Sequence, residues 1–305
     1  MKRLAWFLLA NLLLSSKLMA APQAKDYIVV KINNKAITKS EVDDRFKFIA
    51  LTSKITPKSE SEKKIILSQI IDKMVDEELI RQEAKNLKIE TSQKEVDEAV
   101  EIVAANQKQT AQKIKTLISK NNLSYQGYLT QIESELLWSK IVSEVLRGKV
   151  KVSEVETNEF FEQAKYNTDV RRFLLSEIMI MKSDNSDKFA SKLVHELRSG
   201  ADFNSISQQF SSSLINEIGW VSQSDIDPKI FSAISNLSKG GYSEPVLLGD
   251  GHHIFKVIDS KIESKVSERD LSAAKNLIFN RKLQNIAKGY LMDLRKKAFI
   301  EIKKD

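Results

Sequence analysis

Proline is absent between Pro57 and Pro228, while six of the nine glycines fall between Gly200 and Gly251. Proline breaks helices by removing a backbone donor and clashing with the preceding turn, and glycine supplies the conformations that turns and helix ends need. A long proline-free, glycine-poor stretch followed by a compact glycine-punctuated one predicts two kinds of structure in one chain. Helices come first, then a turn-rich α+β module. At 305 residues the chain accommodates about two domains.

Local signals divide the first stretch further. Residues 27–32 are β-rich, Asn33-Asn34 supplies a turn and 35–37 return, which predicts a small hairpin. Thr38 with Glu41, Ser92 with Glu95 and Ser153 with Glu156 are capping-box pairs, each a hydroxyl and a carboxylate that satisfy each other's free backbone N–H groups. Helical spacing of Leu67, Ile70, Ile71, Met74, Val75 and Leu79 predicts a helix over 61–87. Shorter helices are predicted to follow the caps to about 51, 107 and 165, with another over 110–120. Ser124 opens a long helix carrying Tyr128, Ile132, Leu136, Ile141 and Val145.

The pattern changes at Phe173. Residues 173–181 read as a buried strand, 186–199 as an amphipathic helix closed by Gly200, and 203–210 as a second short helix. A strand over 219–221, a helix over 228–237, and strands over 246–248 and 253–258 around the turn Gly249-Asp250-Gly251 complete the module. A helix over 267–297 and a strand over 299–302 follow. That strand and the hairpin are each too short to be stable alone. The expected solution is that they pair, with the last helix lying on the early ones.

Composition narrows the function. A net charge of +7 includes Lys2, Arg3 and Lys17 near the start, and no Arg-rich block exists, so nucleic-acid binding is disfavoured. Cysteine is absent, which removes disulfides, thiolate chemistry and Cys-based zinc sites. Only His195, His252 and His253 remain as imidazoles, so no metal site is expected. No phosphate-binding motif is present, and Gly249-Asp250-Gly251 lacks the following helix that one needs; no cofactor is expected. The positive start, the apolar run 4–14 and the small residues Ala20-Ala21 read as a signal peptide over 1–20.

The stretches Ser176-Glu177-Ile178-Met179-Ile180, Gly200-Ala201-Asp202-Phe203, Ile218-Gly219-Trp220, Lys239-Gly240-Gly241-Tyr242-Ser243-Glu244-Pro245-Val246 and Gly251-His252-His253-Ile254-Phe255-Lys256-Val257, in this order and spacing, resemble the parvulin (PpiC-type) family of peptidyl-prolyl isomerases. The hairpin with Asn33-Asn34, the helices before this module, and the later helix with Asn280-Arg281-Lys282 and its final strand resemble the SurA-type periplasmic chaperones. The resemblance implies an α+β fold: a mostly helical chaperone domain over 21–168, completed by 264–305, with one parvulin-like domain inserted over 169–263. The expected pairing of the final strand with the hairpin further implies that excising 170–262, with a short flexible linker across the gap, leaves much of the holdase activity intact.

Residue by residue, His253 stands at the parvulin family's second His position, Phe231, Ile226 and Ile218 near its apolar pocket, and Ser213 near its Asp/Cys position. Glu177 occupies the first His position, and a carboxylate does not both donate and accept as an imidazole does. Isomerase activity is therefore expected to be weak or absent, with Glu177 bonded to His253 and favouring its charged form. His252 is expected to face away from His253, because neighbouring strand residues alternate faces. Trp138 widens an apolar helix face and is the candidate for an exposed client groove.

The resemblance implies an ATP-independent periplasmic chaperone for unfolded exported polypeptides, outer-membrane protein precursors among them, without stable membrane insertion. The competing readings are an active secreted prolyl isomerase and a scaffold with an inert module. Export has its own check: N-terminal sequencing of the soluble periplasmic protein is expected to start near Ala21, and a membrane-bound chain still beginning at Met1 contradicts it.

Overall fold

Helix starts lie where the capping pairs put them. The computed structural model describes residues 26–107, 109–166, 170–210, 217–223, 226–263 and 269–303; the expected signal peptide lies outside them. Strands β1 (Ile28–Ile32) and β2 (Lys35–Thr38) form the hairpin, and α1 (Lys39–Ser53) starts from the Thr38–Glu41 box. Helix α2 (Glu60–Leu87) follows, capped by Ser59, and then α3 (Gln93–Asn106) from the Ser92–Glu95 box. Helices α4 (Ala111–Lys120) and α5 (Tyr125–Ile141) come next, the latter running on into a π turn over Val142–Leu146. Helix α6 (Glu154–Tyr166) opens on the reciprocal bonds of Ser153 and Glu156.

The second part of the chain holds β3 (Val170–Met181), α7 (Ser186–Arg198), α8 (Phe203–Phe210), β4 (Glu217–Ser222), α9 (Pro228–Ile234), β5 (Val246–Leu247) and β6 (Gly251–Glu263). Helix α10 (Arg269–Lys297) and β7 (Ile300–Ile302) end it. Strands β3 and β6 are longer than the hydropathy pattern indicates. Their outer ends pair Arg172 with Lys261 and Leu174 with Asp259, a polar ribbon that apolar patterning does not mark.

Two antiparallel sheets result, ordered β2-β1-β7 and β4-β3-β6-β5. The chain ends meet as expected: β7 pairs with β1, and Lys303 N–H donates to the Val29 carbonyl at 2.8 Å. Asn33 holds the same junction from the hairpin turn, its N–H donating to the Phe299 carbonyl and its side-chain oxygen accepting from the Phe299 N–H.

The early helices and the second part of the chain do not pack as separate units. Ile49, Ile65, Ile66 and Ile70 of α1 and α2 share one continuous core with Ile178, Ile180, Phe189, Leu193, Phe203, Ile206, Phe210 and Ile254 of the second part. Polar contacts bolt the same interface: Gln69 Nε2 donates to the Met179 carbonyl at 2.7 Å, and Asp202 N–H donates to the Ser53 carbonyl at 3.2 Å. Excising 170–262 strips the cover from four buried isoleucines, at roughly 1.5–3 kcal/mol each. The physical reason is that α7 and α8 coat one face of the β3–β6 sheet and still have an outer surface to bury.

Trp138 needs correction. It is 4% exposed and packs with Ile80, Ala84, Leu137 and Ile141 against Ala287 and Leu291 of α10. The apolar face it widens is an interior seam, covered by the returning C-terminal helix.

Arg45 crosses this architecture in a buried bidentate pair with Glu77, both bonds 2.9 Å, and also reaches Gln209 of α8 at 3.3 Å. Removing one partner of such a pair leaves an uncompensated interior charge, worth about 3–5 kcal/mol. Arg45→Met is expected to lower unfolding stability by about 3 kcal/mol in urea titration, and the double change with Glu77→Leu to recover most of that loss.

Candidate functional site

The pairing of β3 with β6 sets the site. Glu177 lies opposite Phe255 and Met179 opposite His253, so Glu177 and His253 point to the same side of the sheet. His253 Nδ1 bonds Glu177 Oε1, and its Nε2 bonds Asp250 Oδ1 at 2.8 Å. The His253 side chain is 7% exposed, and its ring stacks on Phe255 with centroids 6.1 Å apart. His252 lies outside this bonded chain, as alternation requires, and His195 is exposed on α7.

Asp250 reaches the ring because the β5–β6 turn closes tightly on β3. A Cβ on Gly251 would stand 2.2 Å from the Ile180 carbonyl oxygen, so only glycine allows the approach. From the other side, Lys288 of α10 sets its ammonium 3.5 Å from Asp250 Oδ2.

A carboxylate at each ring nitrogen favours the charged ring, in which both nitrogens donate. Burial works against that charge, but the hydrogen bonds and charges of Glu177 and then Asp250 outweigh it and raise the His253 pKa above its usual 6.5. Asp250 moves the other way. Burial raises its carboxyl, while the bond and charge of His253, with Lys288 adding, hold it below the ordinary carboxylate range. Each ring nitrogen is thus engaged by a carboxylate of the protein.

Ile218, Ile226 and Phe231 pack on the cluster of Phe173, Leu175, Phe255 and Val257, with Phe231 set edge-on to Phe173 at 6.3 Å. Ile218 and Ile226 also line a cavity of about 510 Å³, whose opposite wall is Ile278, Arg281, Leu283 and Gln284 of α10. Gln284 Nε2 donates to the Ile218 carbonyl at 3.3 Å. The apolar positions are thus assembled together and roofed by the C-terminal helix. Ser213 lies outside the described residues. Among the described residues no group of three His, Cys, Asp or Glu is arranged to hold a metal ion.

Sequence reasoning missed two things. One is Asp250, read as a turn residue; its spacing three before His253 was the available signal. The other is a larger cleft of about 790 Å³ between β2, α1, α2 and α5. Ile37, Phe48, Met74, Leu123 and Tyr128 are among its apolar walls, and Lys35, Glu41, Arg81 and Lys85 are among its charged lining. No local pattern announces a cleft built from four separate elements.

Comparison with known proteins agrees with this layout. Residues 5–142 match the family model of the SurA-like N-terminal domain, and residues 152–276 that of the PPIC-type PPIASE domain. Chaperone SurA of Vibrio cholerae is 26% identical over 270 residues, covering 85% of this chain and 62% of its own length. Chaperone SurA of Escherichia coli O6:H1 is 25% identical over 279 residues, covering 87% and 65%. The chain therefore spans less than two thirds of the length of these relatives. A solved structure of SurA-like chaperones from Campylobacter jejuni aligns over 91% of this chain and 99% of its own, with 19% identity and a TM-score of 0.41.

The carboxylate–imidazole chain sets a pH dependence. A raised His253 pKa contributes stability that is complete below about 6.5 and is lost as pH rises through the folded value. In Glu177→Gln the His253 titration midpoint, followed by NMR of the ring protons, is expected to fall by roughly 1–3 pH units. The stability difference between the two proteins is expected to be largest near pH 6 and to shrink as pH rises. An unchanged midpoint contradicts the geometry.

Proposed function

From a SurA-like chain carrying one PPIC-type domain, we propose an ATP-independent periplasmic chaperone that binds unfolded exported polypeptides, with outer-membrane protein precursors as clients. The observation that carries this reading is the cleft of about 790 Å³, which lies within the segment matching the SurA-like N-terminal domain. It is concave, lined by apolar and charged groups, and of the size in which proteins hold partly apolar ligands. Among the described residues no helix is long and apolar enough to cross a membrane, which is compatible with a role in an aqueous compartment once a signal peptide over 1–20 is removed. The proposed division is 21–168 with 264–305 for client binding and 169–263 for the parvulin-like module.

In this reading the module is a degenerate isomerase. An X–Pro bond rotates over a barrier of ~18–20 kcal/mol, and a catalyst must hold the ring and stabilise the twisted amide. Here the imidazole is saturated by Glu177 and Asp250, and what remains is apolar contact from Ile218, Ile226 and Phe231. The second reading is an active prolyl isomerase, favoured by the cavity that Ile218 and Ile226 line, which has room for a prolyl ring.

One preparation separates the two. A urea-denatured β-barrel precursor diluted into buffer without ATP is expected to stay unaggregated, by light scattering, at near-equimolar chaperone. In the same preparation a proline-limited refolding phase is expected to stay within about twofold of its uncatalysed tens of seconds. Strong acceleration without aggregation suppression reverses the assignment.

A further inference from the structure

Asp250 faces two partners at once. Its Oδ1 lies 2.8 Å from His253 Nε2, and its Oδ2 lies 3.5 Å from the Lys288 ammonium of α10. The first contact ties the turn to its own sheet, because His253 also bonds Glu177 of β3. The second reaches out to the C-terminal helix. One carboxylate thus stands at the boundary between the parvulin-like module and the helix that returns to the early domain.

The two partners respond differently to protons. A charged imidazole donates from both nitrogens, whereas a neutral one has a single N–H and a lone pair at the other nitrogen. Two carboxylates are then one too many, and one of them faces a lone pair. Exposure decides which of them leaves. The Asp250 side chain is 43% exposed and the Glu177 side chain 24%. Asp250 sits on a turn, beside water and Lys288, while Glu177 sits deeper, on a strand paired with β6 along its whole length. An ammonium on a flexible stem with three rotatable donors follows the carboxylate readily.

The surrounding charges leave this exchange to Asp250 and Lys288. From α2, Asp72, Lys73 and Asp76 line the pocket that Lys288 shares, together with Arg295 of α10. Arg295 binds both Asp72 and Asp76, and Lys73 interacts with Glu135 and Glu77. Lys182 at the end of β3 donates its backbone N–H to the Asp250 carbonyl, so the turn keeps its main-chain hold on the sheet while the side chain moves.

We propose that Asp250 is a proton-controlled switch arm: it bonds the His253 ring when that ring is charged, and passes to Lys288 of α10 when the ring is neutral, leaving Nε2 as a free acceptor beside Phe255. The switch does not depend on which polypeptides the chain binds. Its sign follows from linkage. The His253 pKa is raised above 6.5, so the bond to the ring is complete below that pH and is lost as pH rises through the folded value.

The test uses the full chain, with the His253 ring followed by long-range nitrogen–proton NMR, which reports both midpoint and tautomer. The neutral ring is expected to carry its proton on Nδ1, toward Glu177. Asp250→Asn is expected to lower the midpoint by about 1 pH unit. Lys288→Met is expected to raise it by a few tenths of a unit, because Asp250 then has no second partner, and to leave it nearly unchanged once Asp250→Asn is in place. Urea unfolding gives a readout separate from titration. The Asp250–Lys288 coupling from a double-mutant cycle, expressed as a ratio of equilibrium constants, is expected to be at least about twofold larger above the His253 midpoint than below it. A neutral ring protonated on Nε2 overturns the proposal, since Glu177 is then the group that lets go. So does a Lys288→Met shift of equal size with and without the Asp250 carboxylate, which is plain repulsion between cations. A coupling that does not change with pH overturns it as well.

Discussion

Helix α2 buries Lys73, Asp76, Glu77 and Glu78, and the rest of the molecule is arranged around that fact. An interior charge is tolerable only with a counter-charge and hydrogen bonds, and here the partners arrive from different elements. Arg45 comes from α1 to Glu77, and Arg295 comes from α10 to Asp76 and Asp72. Arg81 binds Glu78 and the Ser134 hydroxyl of α5. Burial pushes the Lys73 ammonium down and the Glu135 carboxyl of α5 up, each opposed by the charge of the other. Loss of any neighbour leaves an unpaired charge inside, so α1, α5 and α10 are held in register through one helix.

That registration makes α10 a member of both halves. Its Ala287 and Leu291 seal the seam around Trp138, while its earlier residues Ile278, Leu283 and Gln284 roof the cavity next to Ile218. Lys288 between them reaches Asp250, which in turn bonds the buried His253 ring. The parvulin-like module is thus gripped twice, by α1 and α2 through a shared core and by α10 across its other face.

Two kinds of polar group then divide the labour. Around His253 both ring nitrogens are hydrogen-bonded to carboxylates, which anchors the β5–β6 turn to β3. On α5 the Tyr128 hydroxyl and Gln131 Oε1 are buried without a hydrogen-bond partner, which costs stability.

The capping pairs at Thr38, Ser92 and Ser153 were legible because a cap is a bond between residues three apart. The pairing of the final strand with the N-terminal hairpin was legible because neither is stable alone. Glu177 at an imidazole position announced the bond to His253, since a carboxylate on the same sheet face as a histidine two register positions away is within reach of it. Which apolar face stays exposed was not legible. Trp138 and Tyr128 lie on the same helix with similar local patterns and both are buried, the first under α10 and the second against Phe48 at the side of the cleft. Nor did local sequence show that the outer faces of α7 and α8 would bury Ile49 and Ile66, or that a turn aspartate would cap His253. Hydrogen bonds between near neighbours are written in sequence order. Burial is decided by partners more than a hundred residues away, and only the folded chain brings them together.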